Sequence, residues 1–174
     1  MSVPEMTWKS WPSQLDHQLE DATIAYIGGD RAIWFDSIDR TIWFYHSITH
    51  AWHQKKPDTS CPYPSKRKEA GMAYLGGDRV LLFGGYEDDG TYPTDTWCYS
   101  IYDNKWQCLT DSEPPKPRRG HRMTYIGIDK VLMFGGMQAH PSTLMDDTWI
   151  FDLNQGSWCR DTFFGAWRVA KGLV

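Results

Sequence analysis

Charged residues concentrate in four short stretches of this 174-residue sequence. Residues 65–68 (SKRK) and 116–122 (KPRRGHR) are basic, whereas residues 84–95 (GGYEDDGTYPTD) and 135–147 (GGMQAHPSTLMDD) begin with two glycines and carry acids. Loops of this kind bind a partner when a rigid fold places them on one surface. The candidate partner-binding residues are Arg118, Arg119, Arg122, Tyr86, Glu87, Asp88 and Asp89. A competing interpretation is that these charges are solvated or pair with one another.

Three histidines, His46, His50 and His53, form a second cluster that could do chemistry. A hairpin turning between residues 48 and 51 would place His46 opposite His53, and two imidazoles on one face can bind a transition metal. No neighbouring cysteine or carboxylate completes a ligand set. We therefore expect solvent-facing histidines and predict no metal site.

Motifs of the common enzyme classes are missing from the sequence. The glycine pairs at 28–29, 76–77, 84–85 and 135–136 adjoin expected strands and open no helix, which excludes phosphate-loop and dinucleotide sites. No G-x-S-x-G elbow and no HExxH motif is present. The sequence predicts no catalytic residue and no cofactor.

The overall charge and hydropathy disfavour two further classes of function. A net charge of -4 and a pI near 5.8 argue against nucleic acid, because binding phosphates needs a basic surface. No segment approaches the roughly 18 apolar residues of a membrane span, and the N-terminus lacks the pattern of a secretory signal. We expect a cytoplasmic protein that contacts neither nucleic acid nor membrane.

The four cysteines, Cys61, Cys98, Cys108 and Cys159, have no CxxC spacing. Free thiols in a reducing compartment are the simplest interpretation. A bridge between Cys98 and Cys108 across a hairpin is conceivable, but nothing in the sequence favours oxidation.

A repeated phrase indicates the elements that position the charged stretches. Residues 95–106 (DTWCYSIYDNKW) and 147–158 (DTWIFDLNQGSW) share Asp-Thr-Trp and a second Trp nine positions after the first, and residues 41–52 (TIWFYHSITHAW) form a looser copy. Each phrase reverses in the middle, as a hairpin does. Six of the ten tryptophans fall on these strand positions, so we expect them in the core and not on a carbohydrate platform.

A second hairpin precedes each phrase. Residues 22–35, 70–83 and 121–134 align without a gap, each with a Gly-rich turn between two apolar runs. Two hairpins give four antiparallel strands, a to d, in each unit. The units repeat at 48 residues and then 51 residues, and four short strands per unit of about 50 residues are typical of propeller blades.

The glycines and aromatic residues then suggest a family. A diglycine follows strand b, a Tyr or Phe follows after a loop, and a Trp closes the unit, which resembles the kelch repeat. The motif residues are Gly84, Gly85, Gly135, Gly136, Tyr45, Tyr99, Phe151, Trp52, Trp106 and Trp158. The resemblance implies an all-β fold, a partial kelch-type β-propeller with about three four-stranded antiparallel blades plus an extra N-terminal strand. It also offers packing between blades as an alternative role for Arg118 and His121.

The units divide the chain into five parts. The first unit has Asp36-Ser37 in place of the diglycine, which puts its close packing in doubt. Three blades cannot close a ring, so the chain is expected either to be part of a longer propeller or to form a six-bladed ring as a homodimer. The parts are 1–20, an N-terminal strand of an incomplete blade and a linker; 21–60, the degenerate first blade; 61–115, the second; 116–162, the third; and 163–174, a C-terminal tail.

The alternation of strands places the b–c loops and the d–a loops on one face. Resemblance to kelch proteins implies a protein-interaction scaffold, not an enzyme, that binds a partner protein through this face. The alternative is an oxidase-like or epimerase-like enzyme, or a sugar-binding propeller, that is active only as a completed ring.

Overall fold

The computed structural model describes residues 23–56, 58, 60–109, 113–138 and 141–161. These residues form β-strands and turns and contain no helix, so none of them lies in a helix that could span a bilayer. The strands are β1 (Ile24–Tyr26), β2 (Arg31–Asp36), β3 (Thr41–His46), β4 (Ala51–Lys55), β5 (Gly71–Gly76), β6 (Arg79–Phe83), β7 (Thr96–Ser100), β8 (Lys105–Leu109), β9 (Arg122–Gly127), β10 (Lys130–Phe134), β11 (Met137–Gln138), β12 (Thr143–Leu144), β13 (Thr148–Asp152) and β14 (Ser157–Arg160).

Three four-stranded antiparallel sheets account for most of these strands. Their orders are β1-β2-β3-β4, β5-β6-β7-β8 and β9-β10-β13-β14, so each predicted unit forms one blade, and the all-β propeller prediction is confirmed. The third blade also carries a two-stranded hairpin, β11-β12, within its b–c loop. The sequence did not predict this hairpin, because strands of two residues are too short to show a period.

The a–b turns depend on residues with positive φ. In the second blade Gly76 and Gly77 have φ values of 95° and 60°, and the hydroxyl of Tyr74 donates to the Gly77 carbonyl at 2.7 Å. In the third blade Ile128 occupies the position of Gly77, with a φ of 47°. A β-branched side chain is strained in this conformation.

The blades pack face to face around an inner row of a-strands. β1 lies next to β5, and β5 lies next to β9. Two apolar cores fill the gaps between blades. The core between the first and second blades contains Ala25, Ile27, Ile33, Phe35, Ile42, Ala70, Met72, Val80, Leu82, Trp97, Tyr99 and Trp106. The core between the second and third contains Ala73, Leu75, Leu81, Phe83, Cys98, Val131, Met133, Phe151 and Trp158.

The closing Trp of each later blade contacts the Phe near the end of strand b of the blade before it. Trp106 meets Phe35 with a centroid distance of 5.4 Å, and Trp158 meets Phe83 at 5.2 Å. Trp158 also donates its indole N–H to Thr96 Oγ1 across the interface at 2.9 Å. The tryptophans Trp97, Trp106 and Trp158 are buried, whereas Trp43, Trp52 and Trp149 are half-buried.

The first blade keeps all four strands despite its missing diglycine. Asp36 is buried at the end of β2, and its carboxylate accepts hydrogen bonds from the backbone N–H groups of Ile38 at 2.9 Å and Asp39 at 3.3 Å. A short turn therefore replaces the long b–c loop of the other blades.

The predicted pairing of the histidines was wrong by two residues of register, which leaves both on the same face of the sheet. His46 pairs with Ala51, and His53 pairs with Phe44, so the two rings are diagonal neighbours with centroids 5.7 Å apart. All four cysteines are free thiols. The predicted N-terminal strand and the C-terminal tail lie outside the described residues.

Candidate functional site

The long loops meet on one face of the sheet stack, as the strand alternation predicted. The segment before strand a pairs with the start of the b–c loop through the bridges Lys68 to Tyr86 and Arg119 to Met137. We call the surface formed by residues 65–70, 84–95, 113–121 and 135–147, so far as the structure describes them, the long-loop face.

A buried arginine closes the base of each long loop. Arg118 donates to both carboxylate oxygens of Asp147, at 2.6 and 2.9 Å, and to the Gly135 carbonyl at 3.0 Å. Because Gly135 begins the loop and Asp147 ends it, the guanidinium ties the two ends together. The Arg118 side chain is 0% exposed. It therefore offers no surface to a partner, and its assignment as a partner-binding residue is corrected to a packing role.

The second blade repeats this arrangement. Arg67 donates to the two oxygens of Asp95 at 2.6 and 3.0 Å and to the Gly84 carbonyl at 3.3 Å. Trp97 donates its indole N–H to Asp95 at 2.6 Å. Burial would raise the pKa of Asp95, but these bonds outweigh it and hold the pKa below its usual value. The carboxylate therefore stays charged and keeps the loop closed.

His121 fills the space between the second and third blades. It is buried, and a Cβ on Gly71, Gly84 or Gly136 would collide with its side chain. A Cβ on Gly84 would also lie 2.7 Å from the Arg118 carbonyl oxygen. Residues 118–121, which precede strand a of the third blade, run so close to Gly84 and Gly136 that only glycine fits at these two positions. Burial, with the Arg118 charge, lowers the pKa of His121 to about 3.

Arg119 lies at the centre of an accessible cluster on the long-loop face. Its guanidinium stacks over the Tyr86 ring, 4.9 Å from the centroid, and forms an ion pair with Glu69. Tyr86 in turn stacks on Tyr92 with a centroid distance of 6.0 Å. Burial alone would lower the pKa of Arg119, but Glu69 and the tyrosines outweigh it and raise the pKa above its usual value. We call Arg119, Tyr86, Tyr92 and Glu69 the tyrosine–arginine cluster.

The three acids of the second-blade loop are mostly engaged within the chain. Lys68 Nζ lies 3.0 Å from Asp88 Oδ1, and Ser65 donates to Glu87 Oε1 at 2.5 Å. Asp89 accepts from the Thr91 backbone N–H at 2.9 Å. The competing interpretation, that acids and bases pair with one another, thus holds for several of these charges.

Arg122 lies apart from the cluster, as the first residue of the innermost strand β9. It is exposed, and its side chain makes only long contacts with the carbonyls of Gly120 and His121, at 3.5 and 3.4 Å. Among the predicted partner-binding residues, Arg119, Tyr86, Glu87, Asp88 and Asp89 share the loop region, whereas Arg122 is at its inner edge.

A cavity of about 430 Å³ lies along the three innermost strands. Tyr26, Tyr74 and Tyr125 line it at equivalent positions of the three blades, with Met72, Met123 and small residues between them. The described residues of the lining include no carboxylate, histidine or cysteine. In the described part of the chain, no three or more His, Cys, Asp or Glu side chains converge as metal ligands would.

Sequence reasoning missed two members of the cluster, Tyr92 and Glu69. Tyr92 lies six residues after Tyr86 in the same loop, and Glu69 lies opposite Arg119 in the segment before strand a of the second blade.

The repeat alignment does contain a signal for the two buried arginines. Arg67 and Arg118 occupy equivalent positions before strand a, and each of their units has an Asp two residues before its first Trp. The first unit has Thr41 instead of this Asp, and the buried indole nitrogen of Trp43 has no hydrogen-bond partner among the described residues.

Comparisons with known proteins agree with this architecture. Kelch domain-containing protein 1 of Mus musculus is 25% identical over 131 residues, which cover 69% of this chain and 31% of that protein. An F-box/kelch-repeat protein of Arabidopsis thaliana is 26% identical over 98 residues, 54% of this chain and 20% of that protein. The chain thus spans less than a third of these curated relatives.

A solved structure shows the same fold at low identity. The structure of YjhT aligns with a TM-score of 0.65 and 15% identity, covering 82% of this chain and 51% of that one. A family model for the KLHDC2/KLHL20/DRC7 kelch-repeats domain matches residues 18–167. This match includes all three described blades, and the chain belongs to the kelch-repeat family.

Proposed function

We propose that the chain is a protein-interaction module whose partner binds the long-loop face at the tyrosine–arginine cluster. The observation that carries the proposal is the stack of Tyr92, Tyr86 and Arg119 above two loops whose ends are joined by the ion pairs of two buried arginines. Tyrosine and arginine are enriched among the residues that dominate binding energy in protein interfaces. A scaffold that holds them in place reduces the entropy lost on binding.

The charge pattern indicates what kind of recognition to expect. The buried Arg67 and Arg118 pair with the partly buried Asp95 and Asp147, Lys68 pairs with Asp88, and Arg119 pairs with Glu69. These pairs cancel most of the charge in the basic stretches. We therefore expect a partner that contacts the aromatic surface and the remaining donors of Arg119, not one held by net charge alone.

Comparative affinity capture tests this proposal. Wild-type protein and the Arg119→Ala and Tyr86→Ala variants are immobilised and exposed to the same lysate, and the retained proteins are quantified by mass spectrometry. The matched control is Tyr102→Ala, because Tyr102 is 87% exposed and lies in the c–d turn at the opposite face. Proteins kept by wild type and control should be lost from both cluster variants. Equal retention by all four proteins would refute the proposed face.

The alternative function is a sugar-binding or enzymatic propeller that uses the cavity along the innermost strands. Tyrosine rings can stack on a sugar, but the part of the lining that the structure describes supplies no carboxylate or histidine for acid–base chemistry. The interaction module is for this reason the better supported of the two.

We also propose a location in a reducing compartment such as the cytoplasm, where the four cysteines would remain thiols.

A further inference from the structure

A short proline-rich stretch, residues 113–117 (EPPKP), lies before strand a of the third blade. Proline fixes its own φ at about −65° and biases the preceding residue toward an extended or polyproline conformation. Each of the five residues either is a proline or precedes one. The stretch therefore favours the polyproline II helix, which has three residues per turn.

Burial along this segment follows the period of such a helix. Pro115 and Arg118, three residues apart, are buried, whereas Pro114 is half-buried and Lys116 and Pro117 are exposed. Residues three apart lie on the same side of a polyproline II helix. One side of the segment thus packs on the protein, and Pro114 and Pro117 share another side, about 9 Å apart.

The buried arginine of the third blade holds this segment in place. Arg118 Nε donates to the Lys116 carbonyl at 3.1 Å, and the same guanidinium is tied to Gly135 and Asp147. The two solvent-facing prolines are therefore presented by an anchored backbone. Such an arrangement reduces the entropy that the segment loses when a partner binds it.

The second blade shows which part of this sequence the packing requires. Its equivalent segment also has a buried proline followed three residues later by a buried arginine. Its solvent-facing positions hold a tyrosine and a lysine instead of prolines, so packing does not demand prolines there. The equivalent residues of the two blades are Tyr63 and Pro114, Pro64 and Pro115, Lys66 and Pro117, and Arg67 and Arg118.

We infer that Pro114, Lys116 and Pro117 form a docking epitope for a proline-recognition domain. The aromatic-lined groove of such a domain takes the two prolines, as grooves of this kind take polyproline II segments. The exposed Lys116 adds a positive charge beside them, which fits a groove flanked by acids. In this interaction the chain supplies the ligand and the partner supplies the groove.

The epitope goes beyond the proposed function, because it uses no residue of the tyrosine–arginine cluster. Both lie on the long-loop face, so one partner can contact both or two partners can bind separately. Substitutions in the epitope and in the cluster therefore distinguish the two proposals.

A panel of purified SH3, WW and EVH1 domains tests the inference by biolayer interferometry against the immobilised full chain. The variants are Pro114→Ala, Pro117→Ala and Lys116→Glu. The matched controls lie in the equivalent segment of the second blade: Pro62→Ala and Lys66→Glu, both at exposed residues. Urea unfolding of every variant checks that it folds like the wild type.

We expect at least one domain to bind the wild type. Pro114→Ala and Pro117→Ala each remove two methylene groups from the groove and should weaken binding about tenfold. Lys116→Glu should weaken it more at low salt than at high salt, and both controls should bind like the wild type.

A panel without any binder would overturn the inference, as would proline variants that bind like the wild type. Binding that Arg119→Ala abolishes and the proline variants leave unchanged would also overturn it, while supporting the proposed function. Binding that the proline variants weaken and Arg119→Ala leaves unchanged supports the epitope alone.

Discussion

Burial of His121 between two blades should make the stability of the protein depend on pH. The folded-state pKa is about 3, whereas an unfolded histidine titrates near 6.5. The folded pKa is depressed, so below pH 6.5 the unfolded state binds a proton that the folded state does not. The contribution of His121 to the free energy of unfolding is therefore fully present above pH 6.5 and decreases as the pH drops toward 3. Proton linkage predicts that the free energy of unfolding decreases by about 2 kcal/mol between pH 7.5 and pH 5.

Urea unfolding of wild type and His121→Asn across this pH range measures the effect. The variant loses packing and starts from a lower stability, but its free energy of unfolding should fall about 2 kcal/mol less between pH 7.5 and pH 5. Carboxylates such as Asp95 and Asp147 titrate in both proteins, so they cancel in the difference. Above pH 7.5 the two curves should run parallel. Curves that also run parallel down to pH 5 would show that His121 charges in the folded state, against this reasoning.

Three further substitutions test the packing between blades, each by chemical unfolding. Arg118→Met should cost about 3 kcal/mol because it leaves the Asp147 carboxylate, which is only 11% exposed, without its cation. Arg119→Met at a 26% exposed side chain should cost about 1 kcal/mol or less, and equal losses would contradict the packing role of Arg118. Gly84→Ala should cost at least about 2 kcal/mol more than Gly156→Ala, since both have positive φ but only Gly84 has backbone 2.7 Å from the added Cβ. Ile128→Gly should stabilise the protein by about 1 kcal/mol by relieving left-handed strain, and a loss of stability would refute that assignment.

The blade architecture was predictable from the sequence because it rests on repeated local patterns. Gly-rich turns, paired tryptophans and diglycines each recur at the same place in consecutive units, and all of them specify the same four-stranded sheet. The register of the first c–d hairpin was less accessible, because residues 47–50 lack a glycine or Asn-Gly signal. The predicted opposition of His46 and His53 was wrong for this reason.

The candidate site was only partly predictable, since adjacent basic residues have opposite environments. Arg118 and Arg119 are neighbours in the sequence, yet Arg118 is buried against Asp147 and Arg119 lies over Tyr86. A basic run does not reveal which cation has a distant carboxylate partner. Alignment of the repeats does identify Arg118 as the paired arginine, because Arg67 and Asp95 occupy the positions in the second blade that Arg118 and Asp147 occupy in the third.

The central claim, that a partner protein binds the tyrosine–arginine cluster, is tested most directly by site-specific photo-crosslinking. A photoreactive phenylalanine analogue replaces Tyr92 on the long-loop face in one sample and Tyr102 on the opposite face in another. Crosslinks to a partner protein should form from position 92, disappear on the addition of Arg119→Ala, and be absent from position 102. Crosslinks to the same partner from position 102 with none from position 92 would place the interaction on the other face and contradict the account.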